Sequence, residues 1–214
     1  MLDYKSVSLA NQVFETIEKN IVNGVYPAGS TLSESKLSEE FGVSRTPIRE
    51  ALTKLEAEKL IATSAAGTIV LGITKYDVED MFFVKKQLEP FAFRLAAENI
   101  TDEALAKLKN IIEQQEFYAM KKDTENMRNL DTQFHDIIYS QANSPVLFSI
   151  LSPNHHKLLK FRKDSLERRN RILHSVEEHT ALYEALKARD GIKAEDLMKK
   201  HIENTYENLK KEAL

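Results

Sequence analysis

The stretch Ser44-Arg45-Thr46-Pro47-Ile48-Arg49-Glu50-Ala51-Leu52 limits what this chain can fold into more than any other. Serine is a capping residue, and a proline three positions later is tolerated only in a first turn, where no intrahelical bond is asked of its nitrogen. A helix therefore begins at Ser44 or Arg45. Ile48, Leu52 and Leu55 fall on one of its faces, while Arg45 and Arg49, four apart, share another. Upstream, Leu32 to Val43 reads as a capped helix closed by a turn at Gly42, so the two make a helix-turn-helix. Such a unit sets its second helix in the DNA major groove with the N-terminal side chains at base edges. An arginine pair with this spacing is, taken alone, most often a solvated face.

The flanks complete a module around this unit. Leu9, Val13, Ile17 and Ile21 recur every four residues, which predicts an amphipathic helix over residues 8–23. Tyr26-Pro27-Ala28-Gly29 is a turn signal, and the second helix of the pair extends to about Glu58. Leu60–Thr63 and Thr68–Leu71 are β-prone segments around Ser64-Ala65-Ala66-Gly67, a hairpin. The expectation is three helices and a two-stranded wing.

Length and composition set outer bounds. A chain of 214 residues with 42% apolar and 29% charged side chains can bury one large core or two modest ones. No apolar run approaches a membrane span and no signal-like start is present, so the expected location is cytoplasmic. Cysteine is absent, which leaves histidine and carboxylate as the metal ligands open to the chain. Charge does not advertise nucleic acid: the net value is -3, and residues 1–70 hold 7 Lys and Arg against 9 Asp and Glu. The positive groups Arg45, Arg49, Lys54 and Lys36 would have to be segregated on one side.

The run from Leu32 to Leu55, and with it the Ile-x-x-Gly-x-Tyr-Pro-x-Gly turn at residues 21–29, resembles the winged helix-turn-helix of the GntR family of bacterial transcription regulators. The resemblance covers residues 8–71. It implies that Ser44, Arg45, Thr46 and Arg49 contact bases and phosphates, and that Gly67 lies at the wing tip near the minor groove. The chain departs from the family pattern where Ser35 stands beside Lys36, a region often carrying arginine, and where no basic residue precedes Gly67. Both departures weaken phosphate anchoring. A palindromic double-stranded operator needs two recognition helices about one DNA turn apart, which implies a homodimer.

From Tyr76 onward the period is helical. Met81, Val84, Leu88, Phe91 and Leu95 form a stripe on a long helix containing Pro90, and further helices start at Thr101, at Thr124, at Ser144-Pro145 with a break at Pro153, near Arg171, and after Asp190-Gly191. The fold class expected is mainly α, with residues 1–71 as the DNA-binding module, 72–76 as linker, and 77–214 as an antiparallel helical bundle. Asp131 and His135 sit one turn apart on a face shared with Phe134 and Ile138. His179 and His201 lie 11 and 10 residues either side of the Asp190-Gly191 turn, nearly level at about 1.5 Å per residue. One carboxylate and three imidazoles can thus converge, a set suited to a divalent transition metal. His155, His156 and His174 read as ordinary core or surface histidines.

Asp131-Thr132-Gln133-Phe134-His135, Glu178-His179 and Met198-Lys199-Lys200-His201 resemble the metal-binding signature of the FCD domain, the ligand-binding half of a large GntR subfamily, over about residues 76–209. That resemblance implies Asp131, His135, His179 and His201 as ligands of a divalent metal, with zinc first and nickel or manganese as alternatives. Four protein ligands leave two positions on an octahedral ion, room for a chelating small organic acid. Its remaining charge would meet Arg171, in a match to Arg-x-x-x-Ser-x-x-Glu-His with Ser175 and Glu178, or Lys85, where the subfamily has arginine before Leu88-Glu89, or Arg162. A metabolite-responsive regulator, most often a repressor, is the reading; a metal-only sensor, a structural metal, and a metalloenzyme with an accessory DNA-binding module are the alternatives.

Overall fold

The computed structural model describes residues 8–64, 67–158 and 169–210, and the chain divides into two compact units, Met1–Thr74 and Lys75–Leu214. In the first unit, α1 (Leu9–Val22) starts under Ser8, whose hydroxyl accepts from the Asn11 N–H at 3.2 Å. Strand β1 (Thr31–Leu32) precedes α2 (Glu34–Phe41), which ends at Gly42 in the left-handed region, φ 64°. A side chain is strained there, and glycine lets the backbone turn sharply into α3 (Arg45–Ala57). Ile17, Ile48, Ala51 and Leu55 are fully buried where α1 crosses α3. Strands β2 (Ile61–Ser64) and β3 (Gly67–Val70) form the hairpin, with Ile61 opposite Val70 and Ser64 opposite Gly67.

Two details differ from the sequence expectation. The wing is not two-stranded: β1 pairs antiparallel with β3, Thr31 opposite Ile69 and Leu32 opposite Thr68, giving the order β1-β3-β2. A strand of two residues is too short to show the period of two that betrays strands in sequence. Ser44 takes the extended N-cap backbone, φ -66° and ψ 165°, but its hydroxyl accepts no capping bond and stays exposed.

The second unit has six helices among the described residues: α4 (Lys75–Asn99), α5 (Asp102–Lys121), α6 (Thr124–Gln141), α7 (Pro145–Lys157), α8 (Arg169–Lys187) and α9 (Gly191–Lys210). Helix α4 packs along α9, α5 along α6 and α8, and α7 along α4 and α6. Caps mark most starts: Thr101 accepts from Ala104, Ser144 from Leu147, and Asp190 from Lys193. Asp123, one residue before the expected start, caps α6 through the Asn126 N–H at 3.0 Å.

Helix α7 does not break at Pro153 but continues to Lys157. Pro153 and Ser149, four residues before it, are both exposed, so the carbonyl that loses its N–H partner can meet water. The stripe Met81, Val84, Leu88, Phe91 and Leu95 is not the inward face of α4 either. That face is Val78, Phe82, Lys85, Glu89, Phe93 and Ala96, all buried, while the stripe sits half-buried at the rim with Phe91 48% exposed. Polar residues took the core positions because they neutralise one another there, as described below. Leu55→Ala, at the centre of the first core, should destabilise that unit by about 2–5 kcal/mol, read as a lowered urea midpoint.

Candidate functional site

Two sites are built by these units. On the first, α3 presents Arg45, Thr46 and Arg49 to solvent with Ser44 at its start and Lys36 on α2. The guanidinium of Arg45 reaches the Ser35 hydroxyl at 3.4 Å, and Arg49 Nε donates to Glu34 Oε2 at 2.8 Å. That ion pair is 64% and 38% exposed, so water and salt screen it and it holds the arginine only loosely. Lys54 is directed elsewhere, donating to Asn11 Oδ1 of α1. Gly67 opens β3 at φ 120°, a conformation that disfavours a side chain; Ala65 and Ala66 lie outside the described residues.

The second site is a cluster of histidines inside the helical unit. Asp131 and His135 come from α6, His179 from α8 and His201 from α9. The three ring centroids are 5.2 to 5.6 Å apart, and one ligand nitrogen of each lies within 4.8 Å of the others. Asp131 Oδ1 is 3.5 Å from His179 Nε2. Two donors held about 2.0–2.2 Å from one ion at tetrahedral or octahedral angles stand about 3.0–3.5 Å apart, so this spacing fits a shared ion.

What orients the rings is the more telling geometry. His135 Nδ1 donates to Glu89 Oε1 at 2.9 Å, His179 Nδ1 to Gln115 Oε1 at 2.9 Å, and His201 Nδ1 to Glu178 Oε2 at 2.7 Å. An oxygen acceptor requires the proton on Nδ1, which leaves the lone pair on Nε2. His135 Nε2 and His179 Nε2 are both buried and have no hydrogen-bond partner among the described residues. A buried acceptor with nothing to accept is costly, and an electron-pair acceptor such as a metal cation removes that cost. Burial in the bundle holds His179 well below the ordinary imidazole range and lowers His135 as well, though Glu89 opposes it there. Both rings are therefore neutral and ligand-ready near pH 7.

Behind His135 lies a polar group with no counterpart in the four expected ligands. Lys85 Nζ is 3.1 Å from Glu89 Oε2 and donates to His155 Nδ1 at 2.6 Å, and His155 Nε2 faces Asp131 Oδ2 at 3.4 Å. Tyr139 donates its hydroxyl proton to Glu89. Burial alone would raise the Glu89 carboxyl, but the Lys85 ammonium, then His135 and Tyr139, outweigh it and hold the group well below the usual carboxylate range. Lys85, expected as a free cation for an effector, is thus an internal partner of Glu89 and His155. Arg162 and the side chain of Arg171 lie outside the described residues.

Sequence reasoning passed over His155, read as an ordinary histidine, together with Tyr139 and Gln115. Lys85 and Glu89 did carry a signal: a charged pair four apart on a face otherwise made of Val78, Phe82 and Phe93. Glu178, expected only as part of the Arg-x-x-x-Ser-x-x-Glu-His match, accepts from His201 and from Asn204, and so supports a ring rather than facing the cluster.

Comparison with known proteins gives concordant findings. Residues 9–70 match the pattern described as bacterial regulatory proteins, gntR family, and residues 80–204 match the FCD domain. The gluconate operon transcriptional repressor of Bacillus licheniformis is 30% identical over 205 residues, covering 90% of this chain and 80% of that protein. The galactonate operon transcriptional repressor of Escherichia coli is 26% identical, covering 96% and 98%. Among solved structures, E. coli McbR/YncC superposes with a TM-score of 0.78 at 26% identity, covering 94% of this chain and 99% of that one.

Removing Glu89 should leave the Lys85 charge buried and unpaired. Glu89→Ala is expected to cost the helical unit about 3–5 kcal/mol, measured by denaturant unfolding followed by circular dichroism.

Proposed function

The chain belongs to the GntR family of bacterial transcription regulators, in the group with an FCD domain, and from that premise we propose how it is controlled. It binds a palindromic double-stranded operator as a homodimer, and a divalent metal held by Asp131, His135, His179 and His201 anchors a small carboxylate effector that changes operator affinity. The observation that carries the reading is the set of three imidazoles whose Nδ1 atoms are tied outward, turning their Nε2 lone pairs to a common centre beside Asp131. Bound there, zinc, or nickel or manganese, would supply Lewis-acid affinity for a carboxylate oxygen. The chain's own residues do the rest. Glu89, Gln115 and Glu178 fix the rings, and the Lys85-His155 pair lies beside Asp131.

Two relatives are named as repressors of operons for gluconate and galactonate, both acids that carry hydroxyl groups beside the carboxylate. Such an acid relieves repression. The effector alters operator affinity only by its differential affinity for the two conformations of the regulator. At the reading head, Ser44, Arg45, Thr46 and Arg49 meet bases and phosphates, Lys36 a phosphate, and Gly67 brings the wing backbone close to the minor groove. Arg49 exchanges its exposed partner Glu34 for the DNA.

Metal analysis of the purified protein should find about one divalent ion per chain, lost in the variant His135→Ala with His179→Ala. Calorimetry with a hydroxy-acid such as gluconate should show binding that disappears after chelation; undiminished binding to metal-free protein overturns the anchoring role. Arg49→Ala should weaken operator binding by about 1–3 kcal/mol, measured by fluorescence anisotropy at fixed salt.

A further inference from the structure

Four imidazoles are buried among the described residues, and three of them were expected as ligands. The fourth, His155 of α7, is fully buried against His135, with ring centroids 4.2 Å apart. Its two nitrogens meet opposite charges. Nδ1 faces the Lys85 ammonium at 2.6 Å, and Nε2 faces Asp131 Oδ2 at 3.4 Å. An ammonium offers three N–H donors and no lone pair, so Nδ1 must accept and the ring proton must sit on Nε2. The Glu89 carboxylate, its oxygens 3.2 and 3.1 Å from the same Nζ, balances the ammonium from the other side. Tyr139 Oη stands farther from Nδ1, at 3.5 Å, and directs its own proton to Glu89.

We propose that His155 is a positioning residue for the metal site: Lys85 fixes its tautomer, and its Nε2–H then holds Oδ2 of Asp131, so that Oδ1 alone is turned to the ion. This tautomer is the reverse of that in His135, His179 and His201, whose Nδ1 protons go to Glu89, Gln115 and Glu178 and whose Nε2 lone pairs face the common centre. The two oxygens of Asp131 are divided accordingly. Oδ2 lies 3.4 Å from His155 Nε2, and Oδ1 lies 3.5 Å from His179 Nε2. With a proton on Nε2 and Lys85 on Nδ1, His155 has no lone pair left for a cation, and it acts through Asp131. A carboxylate held by one oxygen gives up less freedom when the other takes a cation, which is how donors behind ligating carboxylates raise metal affinity.

The inference rests on the metal reading above, and its tests separate the two. In the metal-free full chain labelled with nitrogen-15 histidine, ring-nitrogen spectra should show His155 in the Nε2–H form and His135, His179 and His201 in the Nδ1–H form. His155 in any other form overturns the inference, and this readout needs no variant to fold. Zinc affinity, measured by competition with a chelating dye, should fall about tenfold or more in His155→Phe, which keeps a ring and loses the N–H. It should return to within about threefold of wild type in His155→Gln, whose amide nitrogen reaches the Nε2 position. His156→Gln, one residue on and paired with Asp136 at 2.8 Å, should leave it unchanged. Equal losses in His155→Phe and His155→Gln assign the effect to packing and overturn the inference, as does zinc held by His155→Phe as tightly as by wild type. Either result leaves the four-ligand reading standing. A wild-type chain that takes up none of zinc, nickel and manganese overturns that reading itself.

Discussion

Imidazole rings inside an apolar bundle are tolerable only if each N–H finds an acceptor, and that requirement organises the helical unit. His135 of α6 is answered by Glu89 of α4, His179 of α8 by Gln115 of α5, and His201 of α9 by Glu178 of α8. Each bond joins two helices, so together they fix the register of five helices around one point. Apolar packing alone tolerates sliding by a fraction of a turn; a buried donor facing its acceptor at 2.9 Å does not. The same bonds aim the ring nitrogens, so the register of the bundle and the geometry of the histidine cluster are one arrangement.

Glu89 shows how much charge this arrangement carries. Its carboxylate serves Lys85, His135 and Tyr139 together, and the ammonium of Lys85 in turn holds His155 beside Asp131. A lone carboxylate at this depth would bind a proton instead. The network continues from the histidine cluster into α4 and α7.

Much of this was legible in the residues. The helix start at Ser44–Pro47, the turn at Gly42, and the caps at Thr101 and Ser144 could be read because each rests on local backbone chemistry within four residues. Asp131 with His135, and His179 with His201, could be placed because a helix and a short turn set relative positions over short distances. His155, Tyr139 and Gln115 could not, since their part in the cluster depends on contacts between helices far apart in the chain. The inward face of α4 was hidden for a related reason. Periodicity identifies a face that wants cover, and it is silent on whether the cover comes from the same chain. The acidic balance of the first unit was also accurate yet uninformative: Glu34 offsets Arg49 within a few ångströms, so net charge hides a cation that sits at the surface.

The third strand has a practical consequence for anyone recombining these proteins. Strand β3 lies between β2 and β1, and Gly29 and Ser30 exchange backbone hydrogen bonds with Val70 at 2.8 Å. The hairpin is therefore tied to the loop before α2 by main-chain bonds that do not depend on side-chain identity. Grafting a wing from a relative should succeed when the transplant stops at these bonds and should misalign the recognition helix when its register with Thr31 and Leu32 slips by one residue, since a single step inverts which side chains face inward.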